Sequence, residues 1–266
     1  MKKNALEDLQ GVIDTLLGPN GCPWDKEQSP ESLADYIIEE SHELVSAIRG
    51  GTVADVCEEL GDVAFLLLFV ARLYEKDGKF SLDNALEGCR DKMVRRHPHV
   101  FADAVFSSRD ELLKMWERIK KTEHADNKDQ GIFAGLPSSL PPLIKAYRIH
   151  SKAARTGFTW PEDDDVEQQV EAEWLEWLDA KANNDKEAMR HELGDLLFSI
   201  TELGRRKGIK ASEALDFAAQ RFLRRFARME ELARSRRQEF AALSPEEKDA
   251  LWDTVKAEEK QSLEKT

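Results

Sequence analysis

The chain has 266 residues, of which 41% are hydrophobic and 34% charged, and a net charge of -13. That length fits two compact domains of ordinary size, and the negative balance excludes non-specific nucleic-acid binding, which needs a basic face. No apolar stretch is long enough to span a bilayer, and Cys22, Cys57 and Cys89 fall at unrelated spacings, so neither a membrane nor a disulfide framework is expected. No secretory leader is read at the start, and a reducing cytoplasm is the expected compartment.

Strand signals are scarce, while long stretches rich in Leu, Ala, Glu, Lys and Arg place apolar residues at helical spacing, which predicts an all-α protein. Ser29-Pro30-Glu31 has the form of an N-cap followed by proline at the first helical position, predicting a helix to about Arg49 that Gly50-Gly51 stops. A second helix is predicted from about Val53 to Lys76, closed by Gly78. A third is capped by Ser81 and runs through Ala85, Leu86 and Met93 to the break at Arg95-Arg96-His97-Pro98. A fourth, near 109–123, carries Trp116. From His124 to Gly135 the chain is polar and then glycine-bearing, with Pro137, Pro141 and Pro142 following. The expected organisation is therefore a domain over 1–122, a linker over 123–139 and a second domain over 140–266.

An acidic pattern recurs along the chain. Glu40-x2-Glu43-x15-Glu59-x2-Asp62 returns 133 residues later as Glu173-x2-Glu176-x15-Glu192-x2-Asp195. Flanking segments follow it: Gly21-Cys22-Pro23-Trp24 is echoed by Gly157-Phe158-Thr159-Trp160, and Glu59-Leu60-Gly61-Asp62 by Glu192-Leu193-Gly194-Asp195. Likewise Lys92-Met93-Val94-Arg95-Arg96 aligns with Arg221-Phe222-Leu223-Arg224-Arg225, and Trp116 with Trp252. Two copies are too few for a solenoid and point to a tandem duplication of one helical-bundle domain.

Carboxylates three apart share a helix face. A helical wheel puts Glu40 among Leu33, Tyr36, Ile37, Leu44 and Ala47, and Asp62 among Glu59, Phe65, Leu66 and Phe69. Both sets of acids therefore point inward, unlike a solvated Glu/Lys face. Two carboxylates about 5 Å apart repel by roughly 3 kcal/mol at an effective dielectric near 20, so a quartet must share protons or hold a cation. Four carboxylates with no histidine at matching positions suit Mg²⁺, with Mn²⁺ as a substitute. A di-iron bundle would need Glu39-x2-His42 repeated, but Ala172 and Leu175 stand there. Cys89, His97 and His99 match no zinc spacing.

Lys92 and Arg96, like Arg221 and Arg225, lie one helical turn apart and offer cations for phosphate. Phosphate loops, dinucleotide-binding fingerprints and nucleophile elbows are missing from the sequence. Trp24, Trp116, Trp160 and Trp252 are expected to be core anchors. Trp116 and Trp252 are in addition candidates for stacking on a nucleobase near the basic helices.

The strings Glu39-Glu40-Ser41-His42-Glu43 and Glu59-Leu60-Gly61-Asp62, with Gly21-Cys22-Pro23-Trp24-Asp25 and Arg95-Arg96-His97-Pro98-His99-Val100-Phe101, resemble the MazG family over nearly the whole chain. The resemblance implies two all-α domains and Mg²⁺-dependent hydrolysis of a nucleoside triphosphate to the monophosphate and pyrophosphate. It also implies a homodimer and a role in nucleotide housecleaning or stress response. On that reading the metal ligands are Glu40, Glu43, Glu59 and Asp62 in the first copy and Glu173, Glu176, Glu192 and Asp195 in the second. Glu39 would orient or deprotonate the attacking water, and Lys92 and Arg96, or Arg221 and Arg225, would neutralise the departing pyrophosphate. Ala172 replaces the first glutamate of the motif in the second copy, and Arg221 replaces the lysine. The first copy is therefore expected to be at least as active as the second. The competing expectation is a non-catalytic metal-binding scaffold that dimerises through its helices.

Overall fold

The structure, a computed structural model, describes residues 4–108, 111–112, 115–116, 119 and 131–263. The chain divides into two compact units, residues 1–126 and 127–266. Among the described residues all regular structure is helical, and no helix is long and apolar enough to cross a membrane.

The first unit contains α1 (Ala5–Leu16), α2 (Pro23–Lys26), α3 (Ala34–Gly50), α4 (Val53–Lys76), α5 (Leu82–Arg96) and α6 (Pro98–Phe101). Its centre is the hairpin of α3 and α4, joined by only Gly51 and Thr52. Thr52 closes that joint with a capping box: its backbone N–H donates to Asp55 Oδ2 at 2.7 Å, and its hydroxyl accepts from Asp55 N–H at 3.2 Å. A side chain on Gly51 would meet the Ala47 backbone at 2.9 Å, so the turn is as tight as glycine permits. α1 packs on α4, with Ile13, Leu33, Leu68 and Phe69 forming the core. A reciprocal Ser81–Asn84 box starts α5.

The second and third predicted helices lie where the sequence puts them, but the first begins later than Ser29-Pro30 suggests. Ser29 N–H donates to Ser32 Oγ at 3.0 Å and Ser32 N–H donates to Ser29 Oγ at 3.2 Å. The two serines thereby close a turn on themselves, and α3 starts only at Ala34. Most of the helix expected near 109–123 lies outside the described residues.

The second unit contains α7 (Pro142–Ala154), α8 (Asp163–Ala182), α9 (Lys186–Arg206), α10 (Ala211–Ser235), a 3₁₀ turn (Phe240–Ala242) and α11 (Pro245–Leu263). Again a hairpin is central. α8 and α9 are joined by Asn183-Asn184-Asp185, in which Asn184 takes φ +54° and Asp185 accepts from the N–H groups of Glu187 and Ala188. α7 packs on α9, and α10 and α11 enclose Met229, Ala233, Leu243, Leu251 and Val255.

Candidate metal centres

In the first unit α3 supplies Glu40 and Glu43, and α4 supplies Glu59 and Asp62. Oxygens of Glu40, Glu59 and Asp62 lie within 4.8 Å of one another. Glu43 stands outside this triad, but its charge acts on both Glu40 and Glu59. The pKa of each of these two glutamates is raised, first by burial, then by Glu43 and the neighbouring acids. Glu59 Oε2 is buried and has no hydrogen-bond partner among the described residues. A carboxylate oxygen left in that condition costs free energy unless something positive meets it. The all-oxygen donor set, the orphaned atom and the mutual repulsion fit a hard divalent cation.

The second unit gathers its acids differently. Glu173, Glu176 and Glu192 form one group within 4.8 Å, and Asp195 belongs to another with Glu192 and His191. His191 Nδ1 is 3.1 Å from Asp195 Oδ2 and 3.4 Å from Glu192 Oε1. Gln169 Nε2 donates to Glu173 Oε1 at 2.6 Å. His191 and Gln169 are not among the residues expected from the carboxylate spacing. The signal was available: His191 is four residues before Asp195, and Gln169 four before Glu173, so each pair shares a helix face. A cavity of about 480 Å³ opens beside Glu176 and Glu192 toward the hairpin turn, reaching Asp179, Asn183 and Asp185.

The remaining predicted residues sit apart from these clusters. Glu39 is exposed, next to Glu40 but outside the triad. Lys92 and Arg96 are half-buried on α5, which packs on α4. Arg221 is exposed on α10, whereas Arg225 is paired with Glu259 of α11 at 2.7 Å, its guanidinium 5.4 Å from the centre of the Trp252 ring. None of these four cations lines the cavities beside the carboxylates. Trp252 is half-buried against Phe222, and Trp116 packs edge-on to His97 at 5.3 Å. Trp24 is not the core anchor that was expected. It is 52% exposed and stands edge-to-face with Tyr36 at 5.9 Å, lining a second cavity of about 170 Å³ that Glu40 and Asp62 also line. α2, which carries Trp24, spans only four residues, and among the described residues the indole stays half exposed.

The sequence is similar to that of known proteins over most of its length. The family model described as the MazG nucleotide pyrophosphohydrolase domain matches residues 28–101, the segment holding α3, α4 and α5. A nucleoside triphosphate pyrophosphohydrolase of Escherichia coli K12 is 35% identical over 261 residues, covering 96% of this chain and 98% of its own. A nucleoside triphosphate pyrophosphohydrolase/pyrophosphatase MazG of Thermotoga maritima is 36% identical over 94% of this chain and 95% of its own. A solved structure of a MazG-related protein from Thermotoga maritima is 30% identical, covering 43% of this chain and 98% of its own with a TM-score of 0.38. Identity sustained along full-length relatives, on a helical frame that presents paired acidic motifs, places this chain in the MazG family of nucleotide pyrophosphohydrolases.

Proposed function

We propose that this protein hydrolyses nucleoside triphosphates to the nucleoside monophosphate and pyrophosphate with Mg²⁺, or Mn²⁺ in its place, and that it serves nucleotide-pool housecleaning or stress response in the cytoplasm as a homodimer. The observation that carries the reading is the triad of Glu40, Glu59 and Asp62 with the orphaned oxygen of Glu59, in a chain that resembles named pyrophosphohydrolases along its whole length.

Glu40, Glu43, Glu59 and Asp62 would hold the cation in the first unit, and Glu173, Glu176, Glu192 and Asp195 in the second. When bound, Mg²⁺ supplies charge neutralisation for the phosphates and a more acidic water. Water attacks the α-phosphorus: its oxygen forms a new P–O bond while the bond to the bridging oxygen of the β-phosphate breaks, and pyrophosphate leaves with the electron pair. Glu39, exposed beside Glu40, would accept the proton of that water by a side-chain rotation. Lys92 and Arg96 offer positive charge to the leaving group from α5, and Arg221 and Arg225 do so from α10. Arg225 must loosen its ion pair with Glu259 to take this part. Trp116 and Trp252 would support the base from the side of the basic helices. The first unit, which keeps Glu39, is proposed to be at least as active as the second, where Ala172 stands.

The test is incubation with a nucleoside triphosphate panel and Mg²⁺, reading phosphate products directly. Pyrophosphate with the monophosphate is expected. Orthophosphate as the first product would move cleavage to the γ-phosphate and overturn the reading, and no product with any divalent metal would leave a metal-binding scaffold.

A further inference from the structure

Where the first unit places Leu66, Leu68 and Phe69, the second has Ser199, Thr201 and Glu202 at the same spacing from its acidic motif. All three are buried, and so is His150, which meets them from α7 and is 6% exposed. A buried ionic group adds little net stability over an apolar one of similar volume. The first unit, with Leu68 and Phe69 in its core, closes the same frame without one. His150 and Glu202 therefore call for a role other than packing.

The hydrogen bonds fix where the ring carries its proton. A carbonyl oxygen can only accept, so Nε2, 3.1 Å from the Phe198 carbonyl, bears the hydrogen of the neutral ring. Nδ1 is then bare and faces Glu202 Oε2 at 3.6 Å. Arg205 already donates to both Glu202 oxygens, so a second proton on the ring would set an imidazolium beside a guanidinium over a carboxylate that is already engaged. Glu202 and Arg205, both on α9, are the charged groups acting on the ring. Tyr147, one turn earlier on α7, acts on Arg205, and among the described residues α10, which also packs on α7, supplies none. Burial outweighs the pull of Glu202, so the charged ring is better accommodated outside its seat.

What the ring holds is Phe198, whose own ring lies 4.0 Å away and which stands one helical turn after Asp195. We propose that His150 is a positioning residue for the acidic cluster of the second unit: the neutral ring ties α7 to α9 beside Asp195, and acidification opens that tie and weakens cation binding. This rests on the reading of that cluster as a metal centre. An opened α7 takes up the proton first, at the ordinary imidazole pKa of about 6.5, so the tie is at full strength above that pH and weakens as pH falls below it.

The experiment uses the full chain carrying Glu40→Gln and Glu59→Gln, which disables the first acidic cluster. Calorimetry with Mn²⁺ alone, at about pH 7.5 and about pH 5.5, compares that chain with one that also carries His150→Gln. Glutamine keeps an N–H for the Phe198 carbonyl and takes up no proton. The carboxylates and His191 titrate in both chains, so a difference between the two belongs to residue 150. The chain with His150 is expected to lose more affinity on acidification, by up to about tenfold, the limit for one linked proton one unit below its ordinary pKa. Hydrogen exchange of the metal-free chain is expected to show the α7 amides losing protection at the lower pH, once intrinsic rates are allowed for, and keeping it with His150→Gln. Equal loss of Mn²⁺ affinity in the two chains, or α7 amides of the His150 chain that stay protected at the lower pH, would overturn the proposal. No Mn²⁺ binding even at about pH 7.5 would overturn the metal-centre reading and the positioning role with it, while exchange in α7 still reports on the tie itself.

Discussion

Glu202 Oε2 lies 3.6 Å from Nδ1 of His150, and both residues are buried in the second unit. The carboxylate takes two further bonds from Arg205, at 2.6 and 2.8 Å, while Nε2 of His150 meets the carbonyl oxygen of Phe198 at 3.1 Å. Glu202 stands seven residues after Asp195, as Phe69 stands seven after Asp62. The helix behind the acids thus ends in an apolar core in one unit and in a charged network in the other. Burial pushes the His150 pKa down against the pull of Glu202, which favours the neutral ring.

Removing Arg205 from this network exposes its energetic logic. Arg205→Ala leaves Glu202 buried with its charge largely uncompensated, which costs about 3 kcal/mol, the low end for a broken buried pair because the guanidinium is partly solvated. Glu202→Gln on top of Arg205→Ala should recover part of that loss, since a neutral amide needs no counter-charge. Urea denaturation followed by circular dichroism measures both. Additive losses would show that the pair is not coupled.

A second prediction concerns Glu59. Its pKa is raised by burial and then by Glu43, Glu40 and Asp62. A raised carboxylate contributes stability that is present below its unfolded pKa and lost as pH rises through the folded value. At neutral pH, then, Glu59→Gln should raise the melting temperature of metal-free protein while removing the gain expected from Mg²⁺ at the proposed site. For the unsubstituted site that gain is about 2.7 kcal/mol at ~100 times the dissociation constant. Scanning calorimetry with and without Mg²⁺ reads both effects, and a variant destabilised in metal-free buffer would contradict the repulsion argument.

The helices and the acids were legible because both depend on local spacing. Ser81 caps α5 as its sequence context demands, and the three-residue intervals of Glu40/Glu43 and Glu59/Asp62 force shared faces. What sequence did not reveal is set by packing between elements. The wheel shows that Glu43 and Asp195 share a face with their partners, yet only the crossing of the two helices decides which three acids converge. Trp24 looked like a core residue because tryptophan usually is one, but the short helix carrying it leaves the ring at a cavity rim. Ser29 read as a helix cap and instead pairs with Ser32, because two nearby hydroxyls offered the backbone a competing turn.

The division of labour between units is tested by Glu40→Gln and Glu173→Gln in separate full-length chains. If the first unit is at least as active, Glu40→Gln lowers kcat by about 10² or more, and Glu173→Gln lowers it no further than that. Steady-state pyrophosphate release gives the comparison. Loss confined to Glu173→Gln would assign turnover to the second unit, where His191 and Gln169 stand beside the acids, and would leave the first unit with binding alone.

The acid limb of stability should depend on Asp163, the first residue of α8. Its carboxylate accepts from Lys207 Nζ at 2.8 Å and from Arg206 Nε, and these two bonds, Lys207 first, hold its pKa below the usual carboxylate range. Arg206 also donates to the Trp160 carbonyl at 2.9 Å, so the pair ties the start of α8 and the preceding loop to the end of α9. A depressed carboxylate contributes stability that is present above its unfolded pKa, near 4, and lost as pH falls through the folded value. Asp163→Asn should therefore lower the melting temperature at pH 7, and the difference from the unsubstituted protein should shrink as the pH drops below about 4. Salt should reduce the difference at pH 7 as well, because Asp163 and Lys207 are both partly exposed and their attraction is screened. A difference that stays constant from pH 7 to the acid transition would mean that the contribution of Asp163 is steric rather than electrostatic.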